Sequence, residues 1–232
     1  MPIDPEIIFE VARHTEVLRS PKQSLATFGT TAITYYLVTE PVYADLTSDS
    51  SETVVRKEKL TAERPKIITP FYLLSSFKGF EHGEDYARYL LEMYGPNAPG
   101  LLYSYRNELY ETNIVSESPK VVAGRLNDEL EKEGENLAAV IQGVDHLWDV
   151  SLMKFIYELT ARSLGQNVGE LGQMGLLGAD RGLPRAVRMQ IEDMFAAVER
   201  GTLKAHELKV ELDKWGVFDE YQDRFFSLFR RK

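Results

Sequence analysis

Residues 137–163 read LAAVIQGVDHLWDVSLMKFIYELTARS, and the division of this stretch between strand and helix decides the fold. From Val144 onward, Val144, Trp148, Leu152, Phe155 and Leu159 recur at the spacing of a helix with one buried face. Residues 144–163 are therefore expected to form a core helix. The run before it, LAAVIQGV, is short and apolar with no clear period, so it reads either as a buried strand or as the lead-in to that helix. If it is a strand, residues 112–143 form a β-α-β unit, and a small mixed sheet covered by helices follows.

The clearest strand lies upstream. Residues 30–46, TTAITYYLVTEPVYADL, concentrate β-branched and aromatic side chains, and Pro41 marks a bend, bulge or edge. A polar tip, TSDSSE, leads into TVVRKEKLTAER, which pairs back as a long hairpin. Arg56, Lys57, Lys59, Arg64 and Lys66 make this second arm basic, as suits an exposed edge that must not pair with other chains. An anion site is the less simple reading, because no glycine-rich loop accompanies the charges.

Helices are expected around the hairpin. Asp4-Pro5 opens the first, with Ile7, Val11, His14 and Leu18 on one face and Ser20-Pro21 as its stop. Thr69-Pro70 opens a short one closed by Gly79, and EDYARYLLEMY a second that ends at Gly95. Residues 101–117 read as two short strands, LLYSY and TNIVS. A helix from Pro119 then turns Val122, Leu126 and Leu130 inward.

After residue 163, glycines at 165, 169, 172, 175, 178 and 182 weaken any helix, and the segment is read as a connection. A mobile flap and a helix with a glycine face are the alternatives. Three amphipathic helices follow: RAVRMQIEDMFAAVER, LKAHELKVELDKW capped by Thr202, and EYQDRFFSLFRRK capped by Asp219. The expected fold is α+β, with a small mixed sheet, a long N-terminal hairpin, and a mainly helical C-terminal half centred on the 144–163 helix. Residues 1–183 are expected to form the α+β domain and residues 184–232 a three-helix subdomain.

Composition narrows the chemistry. The 232 residues include no cysteine, which excludes disulfides, thiolate nucleophiles and cysteine-bound zinc or iron-sulfur sites. No nucleotide-binding or haem motif is present, and G-x-S-x-G and H-E-x-x-H are absent. Net charge is −9, and residues 81–183 hold 17 acidic against 8 basic side chains, which argues against a nucleic-acid partner. The N-terminal stretch lacks the pattern of a secretory leader, and no apolar run is long enough for a membrane span, so a soluble cytoplasmic protein is expected.

The most chemically loaded spot is Asp145, His146 and Asp149, where two acids one helical turn apart flank an imidazole. Together with His82, which sits between Glu81 and Asp85, and Arg106, which sits among tyrosines, they are the candidate ligand or metal contacts. His14, in line with an apolar stripe, reads as a core or boundary histidine. Tyr221, Phe225, Phe226 and Phe229 load the last helix with aromatic surface on more than one side, the mark of an interface. Two functions follow. The first is a non-enzymatic interaction or regulatory protein, self-associating or bound to a protein partner through this helix and the hairpin edge. The second is a small-molecule-binding protein or enzyme with a pocket near Asp145, His146 and Asp149.

Overall fold

A computed structural model describes residues 5–42, 52–76 and 83–230. The expected cap Asp4, the hairpin tip, the stop at Gly79, and Glu81 and His82 lie outside the described residues. In chain order the first elements are α1 (Pro5–His14), β1 (Glu16–Arg19), β2 (Thr31–Glu40), β3 (Thr53–Ala62), β4 (Lys66–Ile68), α2 (Pro70–Ser76), α3 (Gly83–Tyr94) and β5 (Gly100–Leu102). Then come β6 (Tyr105–Val115), α4 (Pro119–Lys132), β7 (Ala138–Val144), α5 (Trp148–Gln173), β8 (Ala179–Asp180), β9 (Leu183–Pro184), α6 (Arg185–Glu199), α7 (Ala205–Lys214) and α8 (Phe218–Arg230). The chain is an α+β protein with a mixed sheet and a helical C-terminal half. It divides into two compact units, Met1–Arg64 with Tyr103–Gly169, and Pro65–Leu102 with Glu170–Lys232.

The first unit is built on a five-stranded sheet in the order β1-β7-β2-β3-β6. LAAVIQGV resolves as strand β7, which inserts between β1 and β2 and runs parallel to β2. Its Ala138, Ala139, Val140 and Ile141 are all buried, as a strand covered on both faces requires. On one side Leu25, Ile33, Tyr35, Leu37, Leu60 and Ile141 pack against Leu152, Phe155 and Leu159 of α5. On the other, Val38, Val55 and Val140 pack against Val122, Ala123 and Leu130 of α4. The period-2 alternation of β2 supplies both layers at once. The stretch 112–143 does join two strands through α4, but β7 docks beside β2 and not beside β6.

Four local readings need correction. The first helix ends at His14, and Glu16–Arg19 pairs with β7, so Leu18 belongs to a strand. The basic arm β3 is not an edge, because β6 pairs along its whole length. β6 is a single strand of 11 residues that absorbs the NELYE segment, with a bulge where Lys57 and Glu58 face Glu111 and Leu109. The core helix starts at Trp148 after a 3-10 turn, Asp145–Leu147, and continues through three of the glycines to Gln173. Each glycine weakens a helix by about 1 kcal/mol relative to alanine, yet a Cβ added at Gly165, Gly169 or Gly172 would meet nothing within 4 Å.

In the second unit, Val187, Ile191 and Phe195 of α6, Leu208 and Leu212 of α7, Trp215 and Phe225 form the core with Tyr72 of α2. Gly201 and Gly216 both take positive φ where α6 and α7 end, the conformation that stops a helix and that glycine adopts freely. The cap of α7 is made by Lys204 and Glu207, while Thr202 turns its hydroxyl back to the Ala197 carbonyl. No helix among the described residues is long and apolar enough to cross a membrane.

Candidate functional site

The carboxyl ends of β2 and β7 lie side by side, with Glu40 in register with Val144. Where parallel strands end, the chain turns away and leaves a crevice, the usual place for a ligand in such sheets. Here a cleft of about 390 Å³ is lined by His14, Glu40, Gln142, Asp145 and His146, with Pro41 and Pro119 among its apolar walls.

A small hydrogen-bonded knot positions these groups. The Thr15 hydroxyl donates to the Val11 carbonyl at 2.8 Å and accepts from the buried Ser151 hydroxyl, also at 2.8 Å. Lys154 donates to the Thr15 carbonyl at 2.8 Å, and the Val144 amide donates to Ser151 at 3.3 Å. The last turn of α1, the end of β7 and the first turn of α5 are thereby stitched together. Gly143 makes the approach possible, since a Cβ there would lie 2.5 Å from the Ser151 oxygen. His14 therefore faces the same cleft as His146, although 132 residues separate them. Its Nδ1 lies 2.8 Å from the Glu10 carbonyl, which can only accept, so Nδ1 carries a proton.

Asp145 has a partner that sequence reasoning assigned to a solvated edge. Arg56 donates to its Oδ1 at 3.1 Å, the Thr39 hydroxyl donates to the same oxygen at 3.1 Å, and the Arg56 guanidinium lies 5.5 Å over the Trp148 ring. Asp149 stays exposed at the start of α5, where its carboxylate accepts from the Val150 amide at 3.0 Å. Arg106 is opposite Thr61 in the sheet, five residues along β3 from Arg56, and its nearest acid is Glu108 at 3.9 Å. The structure thus gathers Asp145 and His146 with His14 and Glu40, and leaves Asp149 and Arg106 apart. Among the described residues no three acidic or histidine side chains are placed to hold a metal ion.

A second polar constellation lies inside the sheet. Glu58 is only 2% exposed; its carboxylate accepts a hydrogen bond from the Tyr35 hydroxyl at 2.6 Å and another from the Asn107 side-chain amide. Burial, and then the Glu58 carboxylate, push the Tyr35 phenol far above its usual range, so it is a fixed donor. This triplet ties β2, β3 and β6 together. The only sequence signal was parity: Arg56, Glu58 and Leu60 fall on the α5 side of the same strand.

The aromatic last helix divides its residues. Tyr221 stacks on Phe195 with centroids 5.7 Å apart, and Phe225 is buried against the α6–α7 core. Phe226 and Phe229 pack edge-on against Phe225 and stay about half exposed. A further exposed apolar surface lies on β6, the end strand of the sheet. Residues 106–114 are all exposed, and they include Leu109, Tyr110 and Ile114, each more than half accessible. Comparison of the chain with protein-family models, with characterised proteins and with solved structures finds no match.

Proposed function

We propose that this chain is a non-enzymatic interaction protein that self-associates and offers β6 to an extended segment of a partner. The observation that supports this most is the state of β6. An 11-residue strand with one edge unpaired among the described residues and accessible Leu109, Tyr110 and Ile114 is a template for a further strand. The partly exposed Phe226 and Phe229 of α8 supply a second apolar surface. Sedimentation velocity of the full chain across the micromolar range tests the reading: a weight-average coefficient that rises with concentration is expected, and a monomer throughout contradicts self-association.

A second reading has its own support. The cleft at the ends of β2 and β7 holds two imidazoles, the Glu40 carboxylate and the Arg56-paired Asp145, a set suited to a small polar ligand. Native mass spectrometry of the purified protein is the check. A bound mass that disappears in the His14→Ala and His146→Ala variants supports the cleft, and identical bare-chain spectra for all three proteins count against it.

A further inference from the structure

We infer that the cleft at the carboxyl ends of β2 and β7 takes an alkylammonium group, the ammonium on a short apolar body. The inference rests on the small-ligand reading of that cleft above and names the ligand class. The hydrogen-bonding groups of the wall are unevenly divided between donors and acceptors, and the imbalance selects the ligand.

Donors are spent inside the chain or missing. The Val144 amide donates to Ser151 at 3.3 Å, and Nδ1 of His14 donates to the Glu10 carbonyl at 2.8 Å. Pro41 and Pro119, both in the wall, have no amide hydrogen to give. Pro119 stands in the first turn of α4, where a helix otherwise presents amides to an anion, so that end of the cleft loses one of them. Gln142 and His146 can turn either a donor or an acceptor to a ligand and do not select.

Acceptors remain. Glu40 ends β2 with an exposed side chain. Asp145 receives Arg56 and the Thr39 hydroxyl on Oδ1 alone, so among the described residues Oδ2 is the oxygen left for a ligand. Neutral His14 accepts through Nε2, and it sits at the C-terminal end of α1, the negative end of the helix dipole. Of the basic side chains nearby, Arg13 is paired with Glu10 at 3.6 Å, Arg56 is held on the Oδ1 side of Asp145, and Lys120 does not line the cleft.

Carboxylates with few donors beside them favour a cation that brings its own hydrogens. A metal ion does not fit, because among the described residues no three acidic or histidine side chains are placed to hold one. An ammonium needs no such cage: its three hydrogens can go to Glu40, to Oδ2 of Asp145 and to an imidazole, while Pro41, Val42 and Pro119 receive carbon. A cleft of about 390 Å³ holds a ligand of modest size.

The test is NMR of the His14 and His146 rings in the full chain, titrated at constant pH with n-butylammonium, n-butanol and butyrate. Saturable shifts with butylammonium alone are expected. Glu40→Gln, an exposed substitution whose folding is checked by an unchanged melting temperature, is expected to weaken that binding about tenfold or more. Shifts from butyrate or butanol that equal or exceed those from butylammonium overturn the ammonium assignment and leave the cleft standing as a ligand site. Butylammonium binding that Glu40→Gln leaves unchanged also overturns it. If no probe moves either ring, the cleft reading and the inference fall together. A blocked peptide, Gly-Gly-Lys-Gly-Gly, separates the sources of the group: shifts matching those of butylammonium assign it to a lysine of a protein partner, shifts from the free amine alone assign it to a small molecule, and both uphold the inference.

Discussion

β7 and β6 flank the same hairpin from opposite sides, and their surroundings are opposite. β7 is short, built from Ala138, Ala139, Val140 and Ile141, and buried on both faces between β1 and β2. β6 is longer, carries Leu109, Tyr110 and Ile114 with several charges, and is exposed on both faces at the end of the sheet. Place in the strand order accounts for the contrast: β7 receives α4 on one face and α5 on the other, whereas on β6 only the ends are touched, Tyr105 by Thr160 of α5 and Val115 by the α4 cluster, and residues 106–114 between them stay exposed. Apolar side chains that stay uncovered in a folded chain are surface available to another molecule.

The largest effect that would sharpen this contrast is at Ile141. Ile141→Ala leaves a cavity between the sheet and α5 and is expected to lower unfolding free energy by about 3–4 kcal/mol, while Ile114→Ala on β6 changes it by about 0.5 kcal/mol or less. Urea titration of both variants checks the pair, and equal losses would break the comparison. Next is Gly143→Ala at the end of β7, where the new Cβ meets Ser151 at 2.5–2.8 Å and Leu37 at 3.0 Å. A loss of about 1–3 kcal/mol is expected from the forced shift, read as a lower melting temperature. Tyr35→Phe removes one of the two donors to buried Glu58 and is expected to lower stability by about 1–2 kcal/mol. Faster amide exchange in β6 than in β7 would locate that effect at the β3–β6 seam.

The smallest effect depends on pH. Hydrogen bonds from Lys22, and then from Arg19 on β1, hold the Glu131 carboxyl below its ordinary value. A carboxyl whose pKa is depressed on folding adds stability above its unfolded pKa, and that contribution is lost as pH falls through the folded value. The stability difference between wild type and Glu131→Gln should therefore be full near neutral pH and vanish in acid. A difference that is constant from neutral to acid pH would show that the charge plays no part.

Much of the fold was legible because it follows from local periodicity. The hairpin, the α4 stripe, the buried side of α5 and the three C-terminal helices each declare themselves within a dozen or so residues. What was not legible depended on strand order. Nothing in residues 53–62 says that β6 will cover that arm, so its Arg56 reads as a solvated edge charge until the sheet sets it beside Asp145. His14 is similar, since only the docking of α1 beside β7 through Thr15 and Ser151 brings it to the cleft with His146. Asp145 and Asp149, neighbours on an ideal helix, are parted because the helix begins at Trp148 and leaves Asp145 in the preceding turn. The glycines from 165 to 172 read as a helix breaker by propensity, yet the helix runs through them, and the open space beside them is visible only in three dimensions.

The central claim, that uncovered surface on this chain is contact surface, is tested most directly by hydrogen exchange of the wild-type protein at dilute and concentrated conditions, followed by peptide mass spectrometry. Slower exchange at high concentration in peptides covering residues 105–115 of β6, with β7 unchanged, is the predicted result. Exchange that is the same at both concentrations along the whole chain would contradict the account.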